Sequence, residues 1–444
     1  MKLKQIGSLV VILAVLFILI HMVNKQEVRE QESAGRLLNL KPEMVKKIEL
    51  LRGEKTFRFV KQNHGWYLEE PVKTRADKRV IESILDDFCA LKYERPVESN
   101  TRDLKKYGLG QPKIQLRLYE DKKPAPSFTI QLGNQNSMDS TSYTKLERNN
   151  DVVLITAYKR DQLEKDLFDF RDKKFFHFEQ TEVKRLSFKS QEKEFVFKKK
   201  NNTWFLEKPL FSLTSEIVLS DIVSSASQLK AKAFVAVGSP GHLKTFGVDT
   251  PLVELKLSLE KGEKILKILR KEDKLYGYSL DFPEICEIEE KFIDQFNKEL
   301  DDFREHKVAR FYAFDVQEMT YSGDGLTVGV RKSNDFIWNW INPLTKKQVN
   351  GDKVNDFLTA IQDLEADSFL DQPTGAESFS FFLEMKLDDE NNEDRTKTVQ
   401  LSFSRSKEDF ILVKNRDLPY LFRISSDFIG KLPQKLEDFI KKEK

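Results

Sequence analysis

The sequence predicts an α+β protein of three tandem units, each of antiparallel strands packed by two amphipathic helices, following one N-terminal transmembrane helix. Three observations predict it. A self-similarity with a period of about 135 residues runs through the chain, and such a period reveals architecture before any element is assigned. Within each period, alternating apolar positions give way to apolar positions at helical spacing. Ahead of the first period lies an uninterrupted apolar run.

The bulk composition agrees. At 444 residues, with 39% hydrophobic residues, 34 Phe and only 18 Gly and 14 Pro, the chain has material for several cores and is not low-complexity. Lys and Arg total 74 against 72 Asp and Glu, and no long single-sign block supplies the field that nucleic acid would require. Nucleic acid is therefore not an expected partner. Cys89 and Cys286 stand far apart and neither belongs to a CxxC, which excludes zinc spacing and a disulfide framework. Cys89 sits in the apolar run 84–91 and reads as a small buried hydrophobe.

From the N-terminus, residues 1–5 read as a cytoplasmic tail and residues 6–23, IGSLVVILAVLFILIHMV, as a transmembrane anchor. A helix of that length covers roughly 27 Å of the ~30 Å hydrocarbon layer. A cleaved signal peptide is the competing reading, but no small-x-small site closes the run and no Cys follows it. Residues 24–40 read as a polar tether. The bulk is expected on the extracytoplasmic, periplasmic side of a bacterial inner membrane, since only a few residues precede the span.

Three repeat units follow, at 41–178, 179–311 and 312–444. Trp66, Trp204 and Trp338 each stand five residues before a proline, Pro71, Pro209 and Pro343, in WYLEEP, WFLEKP and WNWINP. Upstream, Ile48, Leu50, Phe57 and Phe59 alternate as do Leu186, Phe188, Phe195 and Phe197, and then Met319, Tyr321, Val328 and Val330. That pattern describes a half-buried hairpin running into a third strand that carries the Trp. Downstream, Ile81, Ile84, Leu85, Phe88 and Leu91 have helical spacing, repeated by Val218, Ile222, Val223, Ala226 and Leu229 and by Val354, Phe357, Leu358, Ile361 and Leu364. The first half of each unit is βββα.

The second half closes on a spacing of 8, 4 and 3: Ile155, Leu163, Leu167 and Phe170, then Ile288, Phe296, Leu300 and Phe303, then Ile424, Leu432, Leu436 and Phe439. It reads as a second amphipathic helix. Strand-like runs precede it at 114–118, 253–257 and 381–387. In the first two copies they are introduced by Tyr107-Gly108-Leu109 with Pro112 and by Phe246-Gly247-Val248 with Pro251, whereas the third has only DQPTGAES.

The Trp-x4-Pro element, the helix after it, the Tyr/Phe-Gly-Leu/Val-x2-Pro lead-in and the closing LFDFRD of Leu167 to Asp172 together resemble the bacterial domain of unknown function 4340 family. The resemblance covers residues 41 to 311 well and the third copy less well. Members of that family look like single-pass or exported envelope proteins, often found beside an ABC-type transporter related to the gliding-motility export system. The resemblance implies such a setting for this chain and carries no catalytic residues over.

The residues themselves offer little reactive chemistry. The sequence holds no GxxxxGK[ST], no GxGxxG after a strand, no HExxH and no GxSxG. His21, His64, His177, His242 and His306 occupy non-equivalent positions and none has a metal-ligand spacing to another His or Cys. Asp86-Asp87 and Asp301-Asp302 are adjacent, but neighbours on a helix diverge by about 100°, which does not make an acid/base pair. The acidic run from Asp388 to Asp394 could offer oxygen ligands to calcium but lacks the turning Gly of an EF-hand, so an acidic hairpin loop is expected. Lys198-Lys199-Lys200 beside Asn201-Asn202 reads as a solvated hairpin turn, with contact to anionic lipid the lesser alternative.

The expected structural anchors are therefore Trp66, Pro71, Trp204, Pro209, Trp338, Pro343, Phe170, Phe303 and Phe439. Trp340, peculiar to the third copy, is the interface candidate. The expectation is a non-enzymatic interaction or scaffold protein with no cofactor and no metal, held in the membrane by residues 6–23 and presenting its units to a protein partner in an envelope or transport complex. An enzyme on cell-envelope material and a glycan- or lipid-binding module are the alternatives.

Overall fold

The computed structural model describes residues 36–441 apart from 39, 64, 122, 191–192, 389–395 and 406–408. The expected tail, anchor and most of the tether lie outside the described residues, as do His21, His64 and the acidic run beyond Asp388. Among the described residues no helix is long and apolar enough to cross a membrane.

Three antiparallel sheets follow one another along the chain. The first comprises β1 (Val45–Arg52), β2 (Lys55–Gln62), β3 (Gly65–Glu70), β4 (Thr74–Arg75), β5 (Arg95–Glu98), β6 (Ile114–Glu120), β7 (Phe128–Gln135), β8 (Thr141–Leu146) and β9 (Val152–Thr156). Their order is β4-β3-β2-β1-β6-β7-β8-β9-β5. Alternation sets the register: Ile48 lies opposite Phe59 and Leu50 opposite Phe57, so one face is apolar throughout. Helix α1 (Lys78–Cys89) covers that face with Ile81, Ile84, Leu85, Phe88 and Cys89, starting at Asp77, whose carboxylate accepts from the Arg79 and Val80 N–H groups.

The second sheet repeats this arrangement with β10 (Val183–Ser190), β11 (Glu194–Lys200), β12 (Thr203–Lys208), β13 (Ser212–Leu213), β14 (Ala233–Val237), β15 (Val253–Leu259), β16 (Glu263–Lys271), β17 (Lys274–Ser279) and β18 (Phe282–Glu287), in the same order. Its helix α2 (Glu216–Gln228) buries Leu219 where the pattern named Val218, because the stripe turns by one residue. Asn201 and Asn202, at φ 47° and 64°, form the two-residue turn joining β11 to β12, which leaves Lys198 and Lys200 exposed on the strand end. The third sheet comprises β19 (Val316–Gly323), β20 (Leu326–Lys332), β21 (Trp338–Asn342), β22 (Ser368–Leu370), β23 (Phe381–Asp388), β24 (Thr396–Phe403), β25 (Phe410–Asn415) and β26 (Leu421–Ser425), with helix α3 (Gly351–Gln362). Here the order is β21-β20-β19-β23-β24-β25-β26-β22, so among the described residues nothing pairs outside β21, where β4 and β13 sit in the other copies.

The second amphipathic helix is not what closes each unit. Ile155 and Ile424 are the penultimate residues of strands β9 and β26, and Ile288 directly follows β18. The remainder is broken: an α-helix Ala157–Glu164 and one turn Leu167–Phe170 in the first copy, and 3-10 turns Glu290–Phe296, Asp301–Phe303, Ser426–Lys431 and Leu436–Phe439 in the others. The break has a side-chain cause. Asp169, Asp302 and Asp438 accept from the backbone N–H groups of Asp166, Glu299 and Lys435, three residues upstream, so each restarts the chain instead of letting a helix run on. Phe170, Phe303 and Phe439 are nonetheless buried, and their carbonyls accept from the N–H of Asp77, Ser215 and Asn350, tying the end of each unit to the start of its main helix.

Each core also draws in residues upstream of 41, 179 and 312. Arg36, Lys174 and Lys307 form isolated bridges to Lys92, Lys230 and Glu365, and Leu38, Phe176 and Ala309 are buried in the core that follows. Residues 174–178 and 307–311, expected at the ends of the first and second units, instead give apolar side chains to the next core, Phe175 and Phe176 to the second and Val308 and Ala309 to the third. The chain divides into two compact units, one ending at Lys173 and one beginning at Lys174; the second holds both the second and third sheets.

Candidate interaction surface on the third repeat

The repeated tryptophans are packed in the cores. Trp66, Trp204 and Trp338 are buried, and in each unit the Lys directly across the hairpin, Lys61, Lys199 or Lys332, lies over the ring at 5.8, 5.9 and 5.1 Å. The peptide bonds preceding Pro71, Pro209 and Pro343 are all cis. Trp340 is different: it is half-buried against the edge of the third core, and its Nε1 donates to the Lys347 carbonyl at 2.7 Å.

Around Trp340 the third copy departs from the other two at both ends of one strand. Between the cross-strand partners Lys332 and Trp338 stand five residues, SNDFI, where Lys199 and Trp204 enclose four. After the proline, six residues reach the helix cap Asn350, where the second copy uses five to reach Ser215. In the first two copies this second loop lays β4 or β13 along the outer edge, with the N–H of Ala76 or Thr214 donating to the Trp66 or Trp204 carbonyl. With one residue more, the third copy keeps the end of this loop in place, the Gln348 carbonyl accepting from Lys441 N–H as Arg75 and Leu213 accept from Asp172 and Glu305, but among the described residues it forms no strand pairing with β21.

The result is an open cleft of about 950 Å³ between β21 and that loop, walled by Phe336, Ile337, Trp340, Leu344 and Lys347 and reaching Lys441. Leu344 is 91% exposed and Phe336 65%, while Ile337 and Ile341 are also exposed. Phe314, likewise exposed, stacks on Phe336 at 5.9 Å. Isolated exposed apolar residues are ordinary, but a contiguous group of this kind marks a contact surface. Phe336 is held at φ 59°, a region that a bulky side chain adopts only under strain, while its N–H donates to the Ser333 carbonyl. The cleft's charged groups are Lys346, Lys347, Lys441 and Asp352, and none of the three lysines pairs with a described carboxylate.

Sequence reasoning singled out Trp340 but missed Phe336, Ile337 and Leu344. The signal was present: Phe-Ile stands immediately before WNW, where the other copies carry His64-Gly65 and Asn202-Thr203.

The remaining candidates find structural roles. Burial pushes the Cys89 thiol up to about 12, with nearby Asp86 and Glu43 adding to the shift, so it is no nucleophile at neutral pH. Asp86 is exposed while half-buried Asp87 is raised by burial, partly offset by Lys159. Asp301 faces Arg304 at 3.4 Å while Asp302 caps Glu299, so the second pair also diverges. His306 places Nδ1 2.7 Å from the Ala366 carbonyl and Nε2 3.0 Å from that of Asp301. Among the described residues no group of three or more His, Cys, Asp or Glu gathers as a metal site would require.

A family model described as a domain of unknown function, DUF4340, matches residues 66–216 and again 216–381. No curated protein matches the chain. Two crystal structures of the DNA polymerase sliding clamp from Pseudomonas aeruginosa, the first described as with ligand, are similar at 9% and 8% identity, each match covering 89% of this chain and 95% of the clamp. Their TM-scores are 0.16 and 0.18, too low to carry an argument.

Proposed function

The chain belongs to the DUF4340 family, and from that premise we propose that it is a non-enzymatic scaffold of the bacterial envelope that binds a protein partner through its third repeat. One observation carries the reading: the outer edge of the Trp-bearing strand is paired by the chain itself in two copies and, among the described residues, left unpaired in the third, where exposed Phe336, Ile337 and Leu344 flank it. A surface of this kind stabilises a complex by removing aromatic and aliphatic area from water, about 25 cal/mol per Å². In this reading residues 6–23 hold the protein in the inner membrane as a single-pass anchor, with the repeats on the periplasmic side. A membrane transport complex of the ABC type is the proposed setting. A glycan-binding row of the repeated tryptophans is not favoured, since Trp66, Trp204 and Trp338 are buried.

Solubilisation of the full-length chain in mild detergent, followed by affinity purification and mass spectrometry, tests the proposal. A specific partner lost on Leu344→Asp is expected; recovery of the protein alone overturns it. Alkaline extraction of membranes tests the anchor. The full chain should remain in the pellet and a chain lacking residues 6–23 should not.

A further inference from the structure

We infer that the cleft beside β21 is a strand-addition site, and that its occupant is an extended acidic segment of the partner protein, which pairs along β21 in the cleft as β4 and β13 pair along β3 and β12 in the first two copies. The inference rests on the scaffold reading and deepens it by naming the partner's chemistry.

The other repeats show what belongs at this edge. Tyr67 and Leu68 pair with Arg75 and Thr74, and Phe205 and Leu206 pair with Leu213 and Ser212, so in both a short extended segment runs antiparallel along the Trp-bearing strand. In the third copy the loop that would supply that segment is one residue longer, and Lys347 is spent accepting from the Trp340 indole. Among the described residues no strand pairs with the outer edge of β21, which leaves that edge for another chain to pair. A strand of five residues offers roughly 17 Å of pairing length.

Charge selects the occupant. The second copy meets its neighbour across the same face with Glu216 and Arg304, which pair with Arg310 and Asp371. The third copy carries Gly351 and Ile440 at the corresponding positions and gathers Lys346, Lys347 and Lys441 around the cleft against the single carboxylate Asp352. An incoming strand that alternates apolar with acidic residues would set the apolar ones against Trp340 and Leu344 and the carboxylates against the lysines. A bilayer surface would meet the aromatics and lysines but leave the strand edge unpaired, so a peptide is favoured over lipid.

The test uses the full-length protein in nanodiscs and three fluorescent decapeptides: alternating valine and glutamate, the same with lysine for glutamate, and the glutamate peptide N-methylated at alternate backbone nitrogens. Anisotropy should show the glutamate peptide binding at least about tenfold more tightly than the lysine peptide, with the methylated one not binding. The double substitution K347E/K441E should reverse that preference. Both side chains are exposed, so an unchanged melting temperature is expected and would confirm that the protein still folds. Equal binding of the two charges, undiminished binding of the methylated peptide, binding only to phosphatidylglycerol vesicles, or a self-association that L344D abolishes would each overturn the inference. Photocrosslinking in cells from position 339 separates it from the broader reading. A crosslinked partner with no peptide binding sinks strand addition and leaves the scaffold standing; peptide binding with no partner does the reverse.

Discussion

Two single residues carry energy that their neighbours do not share. Phe336 sits in the left-handed region with most of its side chain in water, a combination that loses backbone energy without recovering it by burial. Phe336→Gly should therefore stabilise the free protein by up to about 1 kcal/mol while weakening partner binding. A melting temperature lowered by several degrees would show that the stack on Phe314 outweighs the strain. Glu49 is the opposite case: its side chain is only 11% exposed, and burial alone would raise its pKa, yet bonds from Tyr119 at 2.6 Å, Arg58 at 3.1 Å and Lys47 at 3.3 Å hold it below the usual range. A depressed folded-state pKa contributes stability above the unfolded value near 4.5, and that stability is lost as pH falls through the folded value. Glu49→Gln should thus lower the stability of the first unit at pH 7 and flatten its decline on the acid side of pH 4.5, as urea titrations across pH would read. Neither residue was legible from sequence. A Phe beside a Trp strand looks like core, and the partners of Glu49 at 58 and 119 come together only through sheet register.

Elements were legible in proportion to how much of their burial is periodic. The three hairpins, the Trp strands and α1 to α3 follow from apolar spacing alone, because the buried face must recur with the period of the backbone. The closing segments misled for the same reason. Buried positions separated by 4 and 3 look like one helix, although two short turns reach them as well. What distinguishes the cases is polar: LFDF, LDDF and LEDF each place an Asp to accept from the N–H three residues earlier, a helix-start device in the middle of the supposed helix. Replacing Asp302, whose carboxylate accepts from Glu299 N at 2.7 Å, with Ala should cost about 1 kcal/mol, detected as a lower urea midpoint with unchanged slope. A stabilisation would mean that the segment prefers to run on as a helix.

At the scale of the second compact unit, repeats two and three are held together by groups that no periodicity announces. Arg304 Nη2 lies 2.7 Å from Asp371 Oδ1, and the guanidinium packs over the rings of Phe369 at 3.7 Å and Tyr420 at 4.6 Å. Arg310 reaches back to Glu216 at 2.7 Å and to the Thr214 carbonyl at 2.6 Å. The joint is unequal in burial: the Arg304 side chain is 0% exposed, whereas Asp371 is 36% exposed. Removing the Asp371 carboxylate leaves the buried guanidinium only Asp301, at 3.4 Å, to offset its charge and the Ser212 hydroxyl to accept from Nε; removing the guanidinium leaves carboxylates that water can solvate. Asp371→Ala should therefore destabilise the second unit by about 2 kcal/mol, Asp301 keeping part of the compensation, and Arg304→Met by less, about 1 kcal/mol. Denaturant titrations of the two single variants and their combination form the cycle that tests this. An equal or reversed order would mean that ring packing, and not the ion pair, holds repeats two and three together.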